Sequence, residues 1–95
     1  HETDLIVNGV LSHDEEITGI IAKYSTTRSV ARISKVNLII MKIAIYEIKY
    51  DDKVPGAAAI NEAVELGKKY AYKQDCNFIN GVLNSYLEEF ENARD

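Results

Sequence analysis

The 95-residue sequence predicts an all-α fold, a compact bundle of about five helices in a single domain. Two segments, residues 55–70 and 78–90, repeat apolar residues at helical spacing. A third, residues 36–50, is apolar on nearly every side and contains no Gly or Pro, which favours a buried central helix over a strand. With 46% hydrophobic and 27% charged residues, the composition is that of an ordinary globular domain.

Residues 55–70 give the most regular of these patterns. The positions from Ile60 to Gly67 place apolar and small side chains on one face and charged side chains on the other. Pro55 suits the first helical turn, where its missing N–H is not needed. Glu65 and Lys69 have the spacing of an i,i+4 ion pair. We therefore predict an amphipathic helix over this range.

Residues 78–90 pose a choice between a hairpin and a helix. Asn80 and Gly81 form the pair that most strongly indicates a hairpin turn between apolar runs. The apolar residues from Phe78 to Phe90, however, follow a helical repeat and do not alternate. We predict a helix, in which Gly81 costs about 1 kcal/mol relative to Ala. A helix that keeps this glycine is expected to need it for close packing or for access to a surface.

The first third of the chain predicts two more helices. Residues 2–11 are one, and the apolar residues between Ile17 and Tyr24 form the face of the next. The letters SHDE at residues 12–15 match a capping box, in which the Ser12 hydroxyl and the Glu15 carboxylate each accept a backbone N–H. Residues 25–29 are expected to be a connection.

Lys42 lies inside the apolar central segment and needs a carboxylate or a route to water. We expect Glu47 or Glu62 to supply the carboxylate. For the chain as a whole, we predict a single helical domain over residues 1–95.

Little in the sequence indicates catalysis, and we predict no enzyme, no cofactor and no metal site. Cys76 has no recognisable base beside it, and His1 and His13 have no Cys or His at ligand spacing. We expect His13 to be a solvated surface residue and Cys76 a partly buried, inert thiol. The net charge of -4 disfavours a generic nucleic-acid binder. No apolar run reaches the roughly 18 residues that a membrane span requires. Because a single cysteine cannot form an internal disulfide and nothing marks a secreted scaffold, a cytoplasmic location is expected.

Two longer stretches resemble the NusB family of transcription antitermination factors. Residues 54–83, VPGAAAINEAVELGKKYAYKQDCNFINGVL, are similar to the family's signature, a Pro followed by INEAVELAKK and then FVNGVLD. Residues 35–48, KVNLIIMKIAIYEI, are similar to its preceding helix. The resemblance implies an all-helical fold and a non-catalytic factor. It also implies pairing with NusE, a small-subunit ribosomal protein, binding of single-stranded boxA RNA, and entry into the RNA polymerase elongation complex.

Two other functions remain open beside this one. The chain could be a NusB-like accessory domain of a ribosomal RNA cytosine methyltransferase, or a structural helical oligomer without an RNA role.

The resemblance also assigns candidate RNA-binding residues. Phe78 matches the aromatic residue that begins the second motif, at a position that contacts RNA in the family. From periodicity alone, Phe78 could equally be the first core residue of its helix. Gln74 lies where the family often carries a carboxylate, and Asn77 and Lys73 are its neighbours.

For contact with NusE, the resemblance points to the exposed part of the central helix near Lys35, Asn37 and Ile40. The family's first two helices, with their arginine-rich segment, have no counterpart in this sequence. The expectation is therefore an N-terminally truncated NusB-like domain whose uncovered apolar faces lead it to self-associate as a homodimer.

Overall fold

A computed structural model describes residues 2–94 of the chain, so the prediction for His1 lies outside the described residues. The described part contains five α-helices and no strand, which confirms the all-α prediction. The helices are α1 (Glu2–Ser12), α2 (Asp14–Tyr24), α3 (Lys35–Tyr50), α4 (Gly56–Tyr70) and α5 (Lys73–Arg94), with a 3₁₀ turn (Val30–Arg32) before α3. Helix α5 runs without interruption through Asn80 and Gly81, so the helical interpretation of this pair is confirmed and the hairpin is wrong.

Helix α3 is at the centre of the bundle. The core lies where α2, α3, α4 and α5 meet, and α1 packs on α3 and α2 at the side. The largest fully buried apolar side chains are Ile17 and Ile21 of α2, Met41 and Ile45 of α3, and Ile79 and Leu83 of α5. Helix α4 instead presents Ala59 and Ala63, whose small side chains let it lie close to its neighbours. This packing fixes the first half of α5 beside the loop that follows α2.

The predicted capping box at residues 12–15 is wrong. Ser12 is the last residue of α1, and its hydroxyl donates to the carbonyl oxygen of Asn8 at 2.8 Å. His13 takes the N-cap position of α2 and makes no side-chain capping bond. Because Ser12 still belongs to α1, the N-cap position of α2 falls one residue later than the capping box requires. The observed side-chain cap is at α3, where the Ser34 hydroxyl accepts from the backbone N–H of Asn37 at 3.2 Å.

Lys42 finds a different carboxylate from the two that we expected. Its Nζ lies 2.7 Å from Oδ1 of Asp14, in the first turn of α2, and neither Glu47 nor Glu62 pairs with it. The reason is tertiary, because α2 packs across α3 and brings its N-terminus to Lys42.

The expected ion pair of α4 also differs. Glu65 pairs with Lys68 at 3.1 Å, one position earlier than the predicted Lys69. Pro55 is the N-cap residue of α4, immediately before the first turn, in extended conformation.

Candidate functional site

A solvent-open cleft of about 390 Å³ lies between the first half of α5 and the loop that follows α2. We call it the Arg28–Phe78 cleft. The residues that line it are Tyr24, Thr26, Thr27, Arg28, Asn77, Phe78, Gly81, Val82 and Ser85. Its volume falls within the range of small-molecule sites. Because one wall is a loop of hydroxyl-bearing residues and the other is an aromatic helix face, the cleft offers both stacking surface and hydrogen-bonding groups.

Arg28 and Phe78 are in direct contact in this cleft. The Cζ atom of the Arg28 guanidinium lies 4.4 Å from the centroid of the Phe78 ring, which is cation–π distance. Arg28 Nη1 also lies 3.0 Å from Oδ1 of Asp75, a buried carboxylate in the first turn of α5. Asp75 precedes Phe78 by three residues, so the two are on one side of α5. The carboxylate and the ring therefore hold the guanidinium from two directions.

Tyr24 at another edge of the cleft belongs to a second polar cluster. Its hydroxyl donates to Oε2 of Glu89, and Lys23 Nζ donates to Oε1 of Glu89 at 2.8 Å. The hydrogen bond from Lys23, followed by that from Tyr24, lowers the pKa of Glu89. Burial, followed by the hydrogen bond to Glu89, raises the pKa of Tyr24. The hydrogen bond to Glu89 thus fixes the Tyr24 ring at the edge of the cleft.

The four predicted RNA-binding residues all lie in the first two turns of α5, but the structure divides them between surfaces. Phe78 is half-buried in the Arg28–Phe78 cleft and Asn77 is exposed beside it. Lys73 and Asn77 line a neighbouring cleft of about 560 Å³ together with Lys68. Gln74 is exposed and lines neither cleft. Asn77 is therefore the residue that joins the two surfaces.

Gly81 lies on the surface of α5 and makes no close packing contact with another helix. A Cβ built on Gly81 would meet no atom within 4 Å, and the residue lines the Arg28–Phe78 cleft. The close-packing alternative for this glycine is therefore wrong, and access to a surface is the alternative that the structure supports. Phe78 itself is partly buried and packs against the core, while it also lines the cleft.

The predicted partner surface on α3 needs a correction. Asn37 is fully buried and Ile40 is 5% exposed, so the expectation that they lie on the exposed part of the helix is wrong. The cause is their spacing, because positions 37, 40, 41, 44, 45 and 48 form the core face of α3. Lys35 is exposed as expected, and the apolar residues beside it that reach solvent are Val36 at 40% and Ile39 at 58% exposure.

The remaining chemically reactive side chains are held in structural contacts. His13 is half-exposed: its ring stacks on that of Tyr50 at a centroid distance of 4.3 Å, and Nδ1 lies 3.5 Å from Glu16. Cys76 is a buried free cysteine. Over the described residues, no group of three or more His, Cys, Asp or Glu side chains is placed to hold a metal ion. No helix in this part of the chain is long and apolar enough to cross a membrane.

Sequence reasoning missed Arg28 and Tyr24 as residues of the site. The sequence predicts a connection at residues 25–29, and the signal for a site there is an arginine among threonines and serines. What the sequence does not contain is the partner of Arg28. Asp75 and Phe78 lie about 50 residues further along the chain, and only the packing of α2 against α5 brings them to Arg28.

Comparison with known proteins gives one consistent result. The sequence model of the NusB family matches residues 2–88. Transcription antitermination protein NusB of Acetivibrio thermocellus is 46% identical over 83 residues, which cover 87% of this chain and 57% of that protein. The NusB proteins of Clostridium botulinum and Levilactobacillus brevis are 42% and 44% identical, over 88% of this chain in each case and over 63% and 60% of their own lengths.

The fold agrees with these sequence matches. A solved structure of T. maritima NusB superposes with a TM-score of 0.84 at 27% identity, and the match covers 88% of this chain and 59% of that one. The chain thus spans about six-tenths of the length of the proteins that it matches.

Proposed function

The chain belongs to the NusB family, and from this premise we propose that it is a non-catalytic transcription antitermination factor that binds boxA-type single-stranded RNA. In this proposal it acts in the cytoplasm, pairs with NusE on the nascent transcript and joins the RNA polymerase elongation complex. The relatives described above bear the name of the antitermination factor, which favours this function over an accessory domain of a ribosomal RNA methyltransferase.

The observation that carries the RNA-binding proposal is the half-buried aromatic ring of Phe78 in an open cleft. Single-stranded RNA is recognised largely by stacking of its unpaired bases on aromatic rings and on guanidinium planes. The Arg28–Phe78 cleft holds one of each, in contact. Asn77 at its edge has an exposed amide, which can donate to and accept from a base edge.

The net negative charge of the chain limits the number of contacts that it can make with RNA phosphates. Phosphate contacts need Lys and Arg, and the net charge of -4 leaves the chain with few of these to spare. Lys73 and Lys68 line the cleft next to the stacking site and supply local positive charge, although Lys68 is paired with Glu65. We therefore propose that this chain contributes mainly base contacts and that NusE contributes to the affinity for the RNA backbone.

For the protein partner, we propose the surface formed by Lys35, Val36 and Ile39. This surface lies in the region of α3 that the sequence predicts. It contains the exposed residues Val36 and Ile39 in place of the buried Asn37 and Ile40. Exposed apolar side chains next to a charged residue are the usual composition of a protein-binding patch.

Fluorescence anisotropy with a labelled boxA-type RNA, in the presence and absence of NusE, tests the proposal. Wild-type chain with NusE is expected to bind. Phe78→Ala is expected to weaken binding about tenfold or more, because it removes the aromatic part of the stacking surface and one stacked base is worth about 1–3 kcal/mol. Phe90→Ala is the matched control, since it removes the other phenylalanine of α5, which lines a different cleft. Absence of binding by the wild-type chain with NusE present would contradict the proposed function.

A further inference from the structure

The Phe78 ring does not meet the open cleft alone, because the Arg28 guanidinium lies over it and both residues line the cleft. The guanidinium carbon is 4.4 Å from the ring centroid. The Arg28 side chain is still about one-third exposed and lines the cleft, so part of it is accessible to a group in the cleft. A planar group that enters this cleft would therefore contact Arg28, and not the Phe78 ring alone.

We infer that Arg28 is the nucleobase-stacking residue of this cleft and that Phe78 and Asp75 are positioning residues behind it. An unpaired base lies on the outer plane of the guanidinium, which lies in turn on the Phe78 ring. This inference rests on the proposed RNA-binding function and names the group that makes the contact. It adds a residue of the α2–α3 loop to a site so far assigned to α5 alone.

Asp75 determines what kind of contact Arg28 makes. Its carboxylate is buried and lies 3.0 Å from Nη1, so it neutralises the guanidinium charge and holds its plane. A paired arginine attracts phosphate weakly but keeps its flat surface and its remaining N–H donors. The contact is therefore one of stacking and of hydrogen bonding to a base edge. A lysine in the same place could pair with Asp75 but has no plane to offer.

The cleft has room for a base beside this stack. Gly81 is one turn after Phe78 on the same face of α5, and a Cβ there would meet nothing within 4 Å. Ser85 continues that wall by one more turn and is exposed. The part of the α5 wall that follows Phe78 thus includes a bare backbone and a small side chain, which a flat ring can approach closely.

The test compares Arg28→Ala, Arg28→Lys and Gly81→Leu with the wild-type chain, using anisotropy of the boxA-type RNA with NusE at several salt concentrations. Both Arg28 variants are expected to bind about tenfold more weakly and to keep the wild-type slope of affinity against salt. Gly81→Leu is expected to abolish most binding because its side chain fills the cleft. Lys49→Ala is the matched control, since it also removes a cation paired with a carboxylate, that of Glu16, and does not line the cleft.

Each outcome supports or overturns the inference. One lost phosphate contact on a single strand lowers the slope of log affinity against log salt by about 0.7. If both Arg28 variants show this decrease, or if Arg28→Lys binds as the wild type does, Arg28 is a phosphate contact and the inference is wrong. If Phe78→Ala loses binding and Arg28→Ala does not, Phe78 stacks directly and only the inference fails. If the wild-type chain does not bind, the proposed function fails and the inference falls with it. Arg28→Lys keeps a partner for Asp75, so it remains informative if circular dichroism finds Arg28→Ala unfolded.

Discussion

At the scale of single residues, Gly81 links the stability of α5 to its surface. A glycine in the middle of a helix costs conformational entropy that an alanine does not. Gly9 of α1 is enclosed by contrast, since a Cβ there would overlap the Tyr46 ring. At Gly81 the same Cβ would enter open space, so nothing in the packing requires a glycine there.

We therefore expect Gly81→Ala to raise the free energy of unfolding by about 1 kcal/mol, because it gains helix propensity without a steric cost. Urea denaturation followed by circular dichroism measures the change. Gly9→Ala is the control and is expected to lower stability, since its Cβ displaces the Tyr46 ring that α1 packs on. A destabilised Gly81→Ala would show that the position is packed after all.

Glu47 gives the chain a dependence of stability on pH. Burial, followed by repulsion from Glu62 and Asp51, raises the pKa of this half-buried carboxyl above its ordinary value of 4.5. The folded chain therefore holds the proton more tightly than the unfolded chain. As the pH rises above about 4.5, the unfolded state ionises first, so the stability contributed by Glu47 falls until the raised pKa has been passed.

Glu47→Gln removes this loss, and we expect the variant to be more stable than the wild type at pH 7 and equally stable below pH ~4. Denaturation curves collected across that range of pH measure the difference. Glu88→Gln, an exposed carboxylate of α5, should change stability little at either pH. A Glu47→Gln variant whose stability relative to wild type does not change with pH contradicts the assignment.

At the scale of elements, α3 has one apolar face that is buried in the core and a second that is exposed to solvent. Its core face begins at Asn37 and continues through Ile40 to Ile48, while Val36 and Ile39 remain exposed. The polar member of the core face is the unusual one. Asn37 is fully buried, and neither Oδ1 nor Nδ2 has a hydrogen-bond partner among residues 2–94. A buried polar group in this state costs free energy on folding.

We expect Asn37→Leu to raise the free energy of unfolding by about 1 kcal/mol or more, since it replaces an unpaired amide with an apolar group of similar volume. The backbone N–H of residue 37, which bonds to Ser34, is retained by the substitution. Thermal and urea denaturation measure the effect. Asn84→Leu, at an exposed position of α5, should bring no such gain. A large loss of stability in Asn37→Leu would mean that the amide has a role in the folded chain.

At the scale of the whole molecule, the exposed large aliphatic side chains among the described residues lie on α1 and the start of α3. The large hydrophobic side chains exposed on these two helices are Leu5, Val7, Leu11, Val36 and Ile39. Helix α1 packs only on α2 and α3, so one of its sides is left without a covering helix in the described chain. Exposed apolar surface of this kind favours association.

We expect the chain to form dimers at high concentration in sedimentation equilibrium. The double variant Leu5→Gln/Leu11→Gln should weaken that dimer more than tenfold, because each buried leucine contributes about 1.5 kcal/mol or more. Tyr70→Gln, which also removes an exposed apolar side chain but from α4, is the control and should leave association unchanged. A monomer at every concentration would contradict the prediction.

The pattern of apolar residues was sufficient to predict the five helices. Periodicity alone resolved Asn80 and Gly81 as helical, since a helical repeat over several turns outweighs a two-residue turn preference. The resemblance carried by residues 54–83 supplied the family, and the match over residues 2–88 confirmed it. These properties are local, because each depends on residues a few positions apart.

Which side chains meet across the bundle depends on how the helices pack against one another. This packing pairs Lys42 with Asp14 instead of Glu47, buries Asn37, and sets Arg28 between Asp75 and Phe78. Each of these outcomes depends on how one helix or loop packs against another that is distant in the chain, and no periodicity records that placement. The cleft beside Gly81 is therefore a property of the fold, although each residue that lines it is visible in the sequence.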